Sequence, residues 1–329
     1  MLLLPTTPSV AARCCATRSL RPSSSRLISQ QLRSYSAATP SSDRLVDLSP
    51  LSTLHPSLPS ALVSDGKATR NDEHISVLTL NRPAAKNAIS RAMADELESC
   101  VNALRASADS RVVLIRSSVP ATFCAGADLK ERKGMSQQEV DAFLLQLRRV
   151  FTGISKLPMP TVACLDGLAM GGGLELALCA DMRIAGPAAS RLGLTETKLG
   201  IIPGAGGTSR LARLVGVARA KELVFSARLV DSLEAQRIGF VDVVAEADPV
   251  ATQGQEAFER GVVMARSFAK NGPLAVRAAK LAIDRGSQMD PETALDFERQ
   301  CYEPILKTED RLEGLRAFAE KREPVYKGR

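Results

Sequence analysis

From about residue 74 the chain alternates short apolar runs with stretches of three-and-four spacing. Residues 75–80 read as a strand ended by Asn81-Arg82-Pro83. Residues 90–105 read as a helix, because Met93, Leu97, Val101 and Leu104 recur on one face. Residues 112–115 form a continuous apolar run, the pattern of a strand buried on both faces. A long helix is predicted over 136–157, opened by Ser136 with Glu139 three residues later as a capping box. Further strands are predicted at 161–165 and 182–185, a short helix at 172–179, and a last short strand within 239–244. Beyond Gly207 the pattern is helical almost throughout, over 207–226, 231–238, 252–271, 273–285, 291–306 and 308–321. Strands first and helices last predict an α/β core with a helical C-terminal part.

Composition narrows the chemistry. Aromatic residues are 4% of the 329 and Trp is absent, so Ala, Leu, Val and Ile must build the core. The two histidines, His55 and His74, lie in polar surroundings near the start, which argues against a His-rich metal site or a Ser-His-Asp triad. Of the seven cysteines, Cys14 and Cys15 fall near the start, while Cys100, Cys124, Cys164, Cys179 and Cys301 are scattered without a CxxC pair and read as reduced core residues. No apolar stretch has the length of a membrane span.

The net charge of +7 is concentrated at the start. Residues 1–42 hold Arg13, Arg18, Arg21, Arg26 and Arg33 with no acid, leaving 38 basic against 36 acidic residues elsewhere. A basic, nucleic-acid-binding body is therefore not indicated. The Arg- and Ser-rich, acid-free leader has the composition of a mitochondrial transit peptide, expected to span 1–35 with cleavage after Tyr35, and implies the matrix. Residues 36–73 read as a flexible segment, 74–265 as the core and 266–329 as a helical oligomerisation region.

Two glycine-bearing turns carry the candidate chemistry. Gly171, Gly172 and Gly173 join a buried strand to an Ala- and Leu-rich helix, allowing close approach of a ligand to free backbone N–H groups. The turn Phe123-Cys124-Ala125-Gly126-Ala127-Asp128-Leu129-Lys130 offers the same opportunity, and one donor from each turn would suffice to hold an oxyanion. The chain lacks GxGxxG, GxxxxGK[ST] and GxSxG, removing the main support for nucleotide-fold and serine-hydrolase readings. Glu175 stands among Leu174, Leu176, Ala177 and Leu178, a dry setting that raises a carboxyl pKa, and Glu196 follows 21 residues later. Two such carboxyls can divide general-base and general-acid work. Taken singly, Glu175 also fits as a helix-dipole acid and Glu196 as a loop carboxylate paired with Lys198.

Together these segments resemble the crotonase (enoyl-CoA hydratase/isomerase) superfamily over residues 74–329. The resemblance rests on Asn81-Arg82-Pro83 with Lys86-Asn87-Ala88, on Cys124 to Lys130, on Gly167 to Glu175 and on Glu196 to Thr208. Residues 221–228, 310–318 and 326–329 are similar to one branch of it, the methylglutaconyl-CoA hydratases also described as AU-rich-RNA-binding. The resemblance implies a spiral of ββα units followed by a helical trimerisation region, assembled as a homotrimer or a dimer of trimers. It implies an acyl-CoA substrate, no cofactor beyond the CoA of that substrate, and no metal. It also implies an oxyanion hole from the N–H groups of Ala127 and Gly172, with Glu175 and Glu196 as catalytic acids. CoA contacts would come from Lys86, Ala125, Ala127, Asp128, Leu129, Lys130, Phe318 and Lys321. Retention of both glutamates favours a hydratase over an isomerase, and a general enoyl-CoA hydratase of fatty-acid or biosynthetic metabolism is the alternative. Arg132 and Lys198 are candidates to meet a substrate's distal carboxylate. An RNA-binding protein is the alternative from another class. RNA-binding relatives line one helix face with lysines, whereas the matching positions here are Arg91, Asp95 and Ser99, so strong RNA binding at physiological salt is not expected.

Overall fold

The computed structural model describes residues 44–57, 71–247 and 254–329; the expected leader at 1–35 lies outside them. Nine strands are described: β1 Val46–Pro50, β2 Ile75–Leu80, β3 Val112–Ser117, β4 Thr122–Cys124, β5 Thr161–Leu165, β6 Leu168–Met170, β7 Met182–Ala185, β8 Leu192–Gly193 and β9 Val243–Val244. Eleven α-helices accompany them: α1 Arg91–Ala106, α2 Leu129–Lys133, α3 Gln137–Ser155, α4 Gly172–Ala177, α5 Gly207–Val215, α6 Val217–Ser226, α7 Ser232–Ile238, α8 Glu256–Ala269, α9 Pro273–Gly286, α10 Pro291–Tyr302 and α11 Glu309–Ala319.

The strands form two sheets. One has the order β1-β2-β3-β5-β7-β9, parallel except for the antiparallel β1 edge, and the other has the parallel order β4-β6-β8. Successive pairs β3/β4, β5/β6 and β7/β8 each give one strand to either sheet before the chain turns into helix. This is the ββα spiral expected from the resemblance.

The apolar run of β3 shows why such strands need no polar face. Val113 and Ile115 enter the core shared with α1, α3 and the small sheet, while Val112 and Leu114 enter a second core beneath α8. Ser90 caps α1 by accepting from the Met93 amide, and Ser136 with Glu139 closes the predicted capping box at α3. Asp166, after β5, accepts from the amides of Ala257 and Phe258 and so fixes the start of α8 on the sheet; burial pushes its carboxyl up to about 7.

Several expectations change. The stretch read as a flexible segment supplies β1, in register with β2 from Val46↔Leu80 to Pro50↔Ser76. Glu96 captures the amides of Leu45 and Val46, a long-range contact that local periodicity does not show. The expected helix at 207–226 breaks at Gly216, whose φ of 82° few other residues adopt without strain. The strand expected within 239–244 is confined to Val243–Val244. The expected boundary after 265 falls inside α8, where Ala265 and Ala269 are both core residues. Helices α9 to α11 bury almost no apolar side chain and expose Ile283, Leu295, Leu312, Leu315 and Phe318. Polar ties anchor α9 instead: Lys280 pairs with Asp181 at 2.6 Å, and Arg277 donates to the carbonyls of Ala108 and Ser110. Among the described residues, no helix is long and apolar enough to cross a membrane.

Candidate active site

The site forms where the ends of β4, β6 and β8 meet. Its first wall is the turn after β4, held from below by Asn81 to Asn87. Asn87 is fully buried, and its amide donates to Ser117 Oγ and the Phe123 carbonyl while its Oδ1 accepts from the Arg82 amide. The Ala125 amide donates to Lys86 O, the Ile89 amide to Gly126 O, and the Asp128 amide to Ile89 O. Asp128 caps α2 through the Lys130 and Glu131 amides and pairs with Arg82 at 2.7 Å. Cation and amides together outweigh its desolvation and hold its carboxyl below the usual range. The Ala127 N–H donates to no acceptor among the described residues.

The second wall is the glycine run. Gly171 donates to the Gly193 carbonyl across β6–β8 and adopts φ 51°; a Cβ there would stand 3.1 Å from Glu196 Oε1. The next N–H, that of Gly172, starts α4 and is also without an acceptor. The two walls touch. A Cβ on Gly172 would lie 3.5 Å from the Ala127 nitrogen, and one on Gly126 would lie 2.8 Å from the Met170 carbonyl oxygen. Two free donors from separate loops thus converge on one space, the arrangement that stabilises a developing oxyanion.

The glutamates flank these donors. Glu175, on α4, is 3% exposed, and its Oε1 accepts from the Ala205 amide at 2.9 Å and the Gly207 amide at 2.7 Å. Burial raises its pKa, while the Gly207 and Ala205 amides and the Arg210 charge pull it back. The nearby Gly204 amide also favours its ionised form. Glu196 opens the 3-10 turn Glu196–Leu199 after β8, and its buried Oε2 has no partner. Burial and the like charge of Glu175 raise it to about 7, and Arg132 opposes the shift. The local alternative of a Glu196–Lys198 ion pair does not form. Lys198 is exposed instead.

A raised carboxyl carries a stability cost with a defined sign. Below about 4.5 Glu196 is protonated in both folded and unfolded chains; the cost grows as pH rises from there and is complete above about 7. After discounting for its half-buried position, Glu196→Gln is expected to stabilise the protein by about 1–2 kcal/mol at pH 8 and much less at pH 5. Urea unfolding at the two pH values measures this. Equal gains at both would show that ionisation of Glu196 costs nothing.

Of the residues expected to hold CoA, Ala125, Ala127, Asp128, Leu129 and Lys130 lie on the first wall. Lys86 is exposed beside it, in the left-handed region at φ 51°. Leu129 is 51% exposed. Phe318 and Lys321 have no hydrogen bond or ion pair to that wall within this chain, and Phe318 is 86% exposed. Arg91 is occupied by Glu131 and Glu139, and Asp95 by Gln146, so the helix face compared with RNA-binding relatives offers no free row of cations. Sequence reasoning missed Asn87 as the scaffold of the first wall and Arg210 behind Glu175. The Lys86-Asn87 pair and Arg210, next to the Gly206-Gly207 turn, were the available signals. Among the described residues, no three His, Cys, Asp or Glu side chains cluster as metal ligands would.

The family model described as enoyl-CoA hydratase/isomerase matches residues 70–329. The human mitochondrial methylglutaconyl-CoA hydratase is 49% identical over 254 residues, covering 77% of this chain and 74% of that protein. A probable mitochondrial enoyl-CoA hydratase 2 of Arabidopsis thaliana is 46% identical over 270 residues, covering 82% and 87%. The crystal structure of an enoyl-CoA hydratase from Bacillus anthracis superposes with a TM-score of 0.74 at 44% identity, covering 78% of this chain and 96% of that one. The fold is therefore the crotonase spiral, and the activity is that of a hydratase, a carbon–oxygen lyase. By family match, sequence identity and fold alike, this chain belongs to the enoyl-CoA hydratase/isomerase family.

Proposed function

We propose that the protein adds water across the double bond of 3-methylglutaconyl-CoA to give 3-hydroxy-3-methylglutaryl-CoA, in the mitochondrial matrix, as a step of leucine degradation. The observation that carries the hydratase chemistry is the convergence of two carboxyls, Glu175 buried and Glu196 half-buried, with two unpaired N–H groups from separate loops. In this reading Ala127 and Gly172 donate to the thioester oxygen, which gains charge as the enolate-like state forms. Glu175 Oε2 accepts a proton from water as the hydroxide oxygen bonds to Cβ. Glu196 delivers its proton to Cα, and dehydration reverses each transfer. Glu175 is buried and Glu196 half-buried, and burial raises both carboxyls, as a division into base and acid near neutral pH requires. Water is consumed, no electrons change hands, and the chemistry calls for no metal or redox cofactor.

In this reading the exposed Lys86 and Lys130 meet CoA phosphates beside the first wall. Phe318 and Lys321 would complete that site for a neighbouring subunit in a homotrimer or dimer of trimers. The exposed apolar side chains of α9 to α11 support such an assembly. The mitochondrial setting is supported by the Arg-rich leader and by relatives named mitochondrial.

The branched diacid substrate is supported by the 49% identity and by a cation beside the site. Arg132 is half-buried on α2, has no ion-pair partner among the described residues, and its charge acts on Glu196. We assign it to the distal carboxylate. Purified protein is expected to show a larger kcat/KM for 3-methylglutaconyl-CoA than for crotonyl-CoA, followed by loss of the conjugated-thioester absorbance. Arg132→Gln is expected to lower the first value by about 10–10²-fold, the loss of one charge-assisted bond, and leave the second within about threefold. Preference for crotonyl-CoA would retain the hydratase and discard the branched substrate. Equal losses on both substrates would remove the carboxylate role from Arg132.

A further inference from the structure

Arg210 lies on α5, and its Nη1 donates to the Ala205 carbonyl at 2.9 Å. The same residue, Ala205, donates its amide to Glu175 Oε1, as does Gly207 two residues later. Arg210 therefore reaches the carboxylate through a single residue of the turn. The contact depends on Gly206: its φ is 110°, and a Cβ there would collide with the Arg210 guanidinium. A Cβ on Gly207 would in turn stand 2.8 Å from Glu175 Cγ. Guanidinium, turn and carboxylate fit together with no spare volume.

We propose that Arg210 is a positioning residue for the water-activating carboxylate. It locks the 205–207 turn so that the turn's two amides clamp Oε1 of Glu175 and leave Oε2 for water. This role rests on the hydratase reading. The charged and titratable groups around Glu175 define what Arg210 does electrostatically. Glu196 faces it with like charge, and the Cys179 thiol one turn along the chain is pushed up to about 12 and stays neutral. Arg183 acts on Cys179 and Arg132 on Glu196. Arg210 is the cation that acts on Glu175 itself. Its removal leaves a buried carboxylate whose ionised form is held by backbone amides alone, so the carboxyl must gain its proton at higher pH.

The test compares wild type, Arg210→Gln and Arg210→Lys as full-length oligomeric protein, recording kcat and KM from pH 5 to 9 together with the melting temperature. Gln is expected to lower kcat by about 10–10²-fold, the scale of a misoriented base, with KM within about threefold. It is also expected to move the acidic limb of kcat/KM upward by about one pH unit. Lys keeps the charge, so its limb stays near wild type while kcat recovers only in part. An unmoved limb in the Gln variant, with activity lost only in step with melting temperature, would reduce Arg210 to a structural residue. A raised KM at unchanged kcat would make it a substrate contact instead. Both results overturn the positioning role and leave the hydratase standing. Wild-type protein that hydrates no enoyl-CoA would overturn the hydratase reading and this role with it.

Discussion

Glu175→Gln and Glu196→Gln are each expected to lower kcat for hydration by about 10²–10⁴-fold, the range set by one general acid or base, or roughly 3–5 kcal/mol of barrier. The two losses are expected to differ in kind. Glu175 is clamped at Oε1 by the amides of Ala205 and Gly207, and Gln preserves that clamp because its amide oxygen can accept the same two bonds. What disappears is the capacity of the second atom to take a proton from water. The variant should therefore fold, bind the thioester with KM near wild type and fail at the chemical step. Glu196 has an orphaned Oε2, and burial raises its carboxyl to about 7. Gln there removes a proton donor and relieves a buried charge together, so activity falls while stability at alkaline pH rises. Steady-state kinetics with a melting curve separates the cases. A Glu175→Gln protein that keeps wild-type kcat would remove Glu175 from the chemistry. A double variant no slower than either single would show that the pair acts as one unit.

Much of this site was legible before any coordinates. The two carboxyls, both glycine turns and the strand–helix order follow from residue types and spacing, since a buried acid and a glycine run are local signals. What was not legible depends on contacts distant in sequence. β1 exists because Glu96, on α1, takes the amides of Leu45 and Val46, and because Val46 and Leu48 complete the core beside α1. Neither fact can be read from the Ser-, Pro- and Leu-rich stretch that contains β1. The small sheet β4-β6-β8 is not predicted, because strands of two or three residues carry no periodicity. Its pairing nevertheless brings Ala127, Gly172 and Glu196 together. Arg210 likewise carries no local signal beyond a charge in a predicted helix; only the fold shows that its partner Ala205 also holds Glu175. Composition and motif locate the chemistry, while long-range pairing sets its geometry.

That pairing is most exposed at Gly173. A Cβ at this position would collide with the Cys124 carbonyl oxygen and stand 2.8 Å from the Cys124 Cβ, so the first turn of α4 could no longer lie against the end of β4. Two effects compete in Gly173→Ala. Alanine favours helix over glycine by about 0.5–1 kcal/mol. Overpacking a fully buried contact costs typically about 1–3 kcal/mol, and here the obstacle is backbone, which has no rotamer to yield. The collision wins, and the protein is expected to lose about 1–2 kcal/mol. The larger consequence is catalytic. Gly172 precedes the collision and Ala127 lies three residues beyond Cys124, so relieving it must spread the two N–H groups that face one space. Misplacing one such donor costs about 10²–10³ in kcat, far beyond what the modest instability removes at 25 °C. Glu175 rides on the same helix, and the loss is therefore expected to be at least that large. Measured on folded Gly173→Ala protein well below its melting temperature, kcat should fall at least 10²-fold for every enoyl-CoA tested. Wild-type turnover from that variant would show that the close approach of α4 to β4 is not what aligns the two donors.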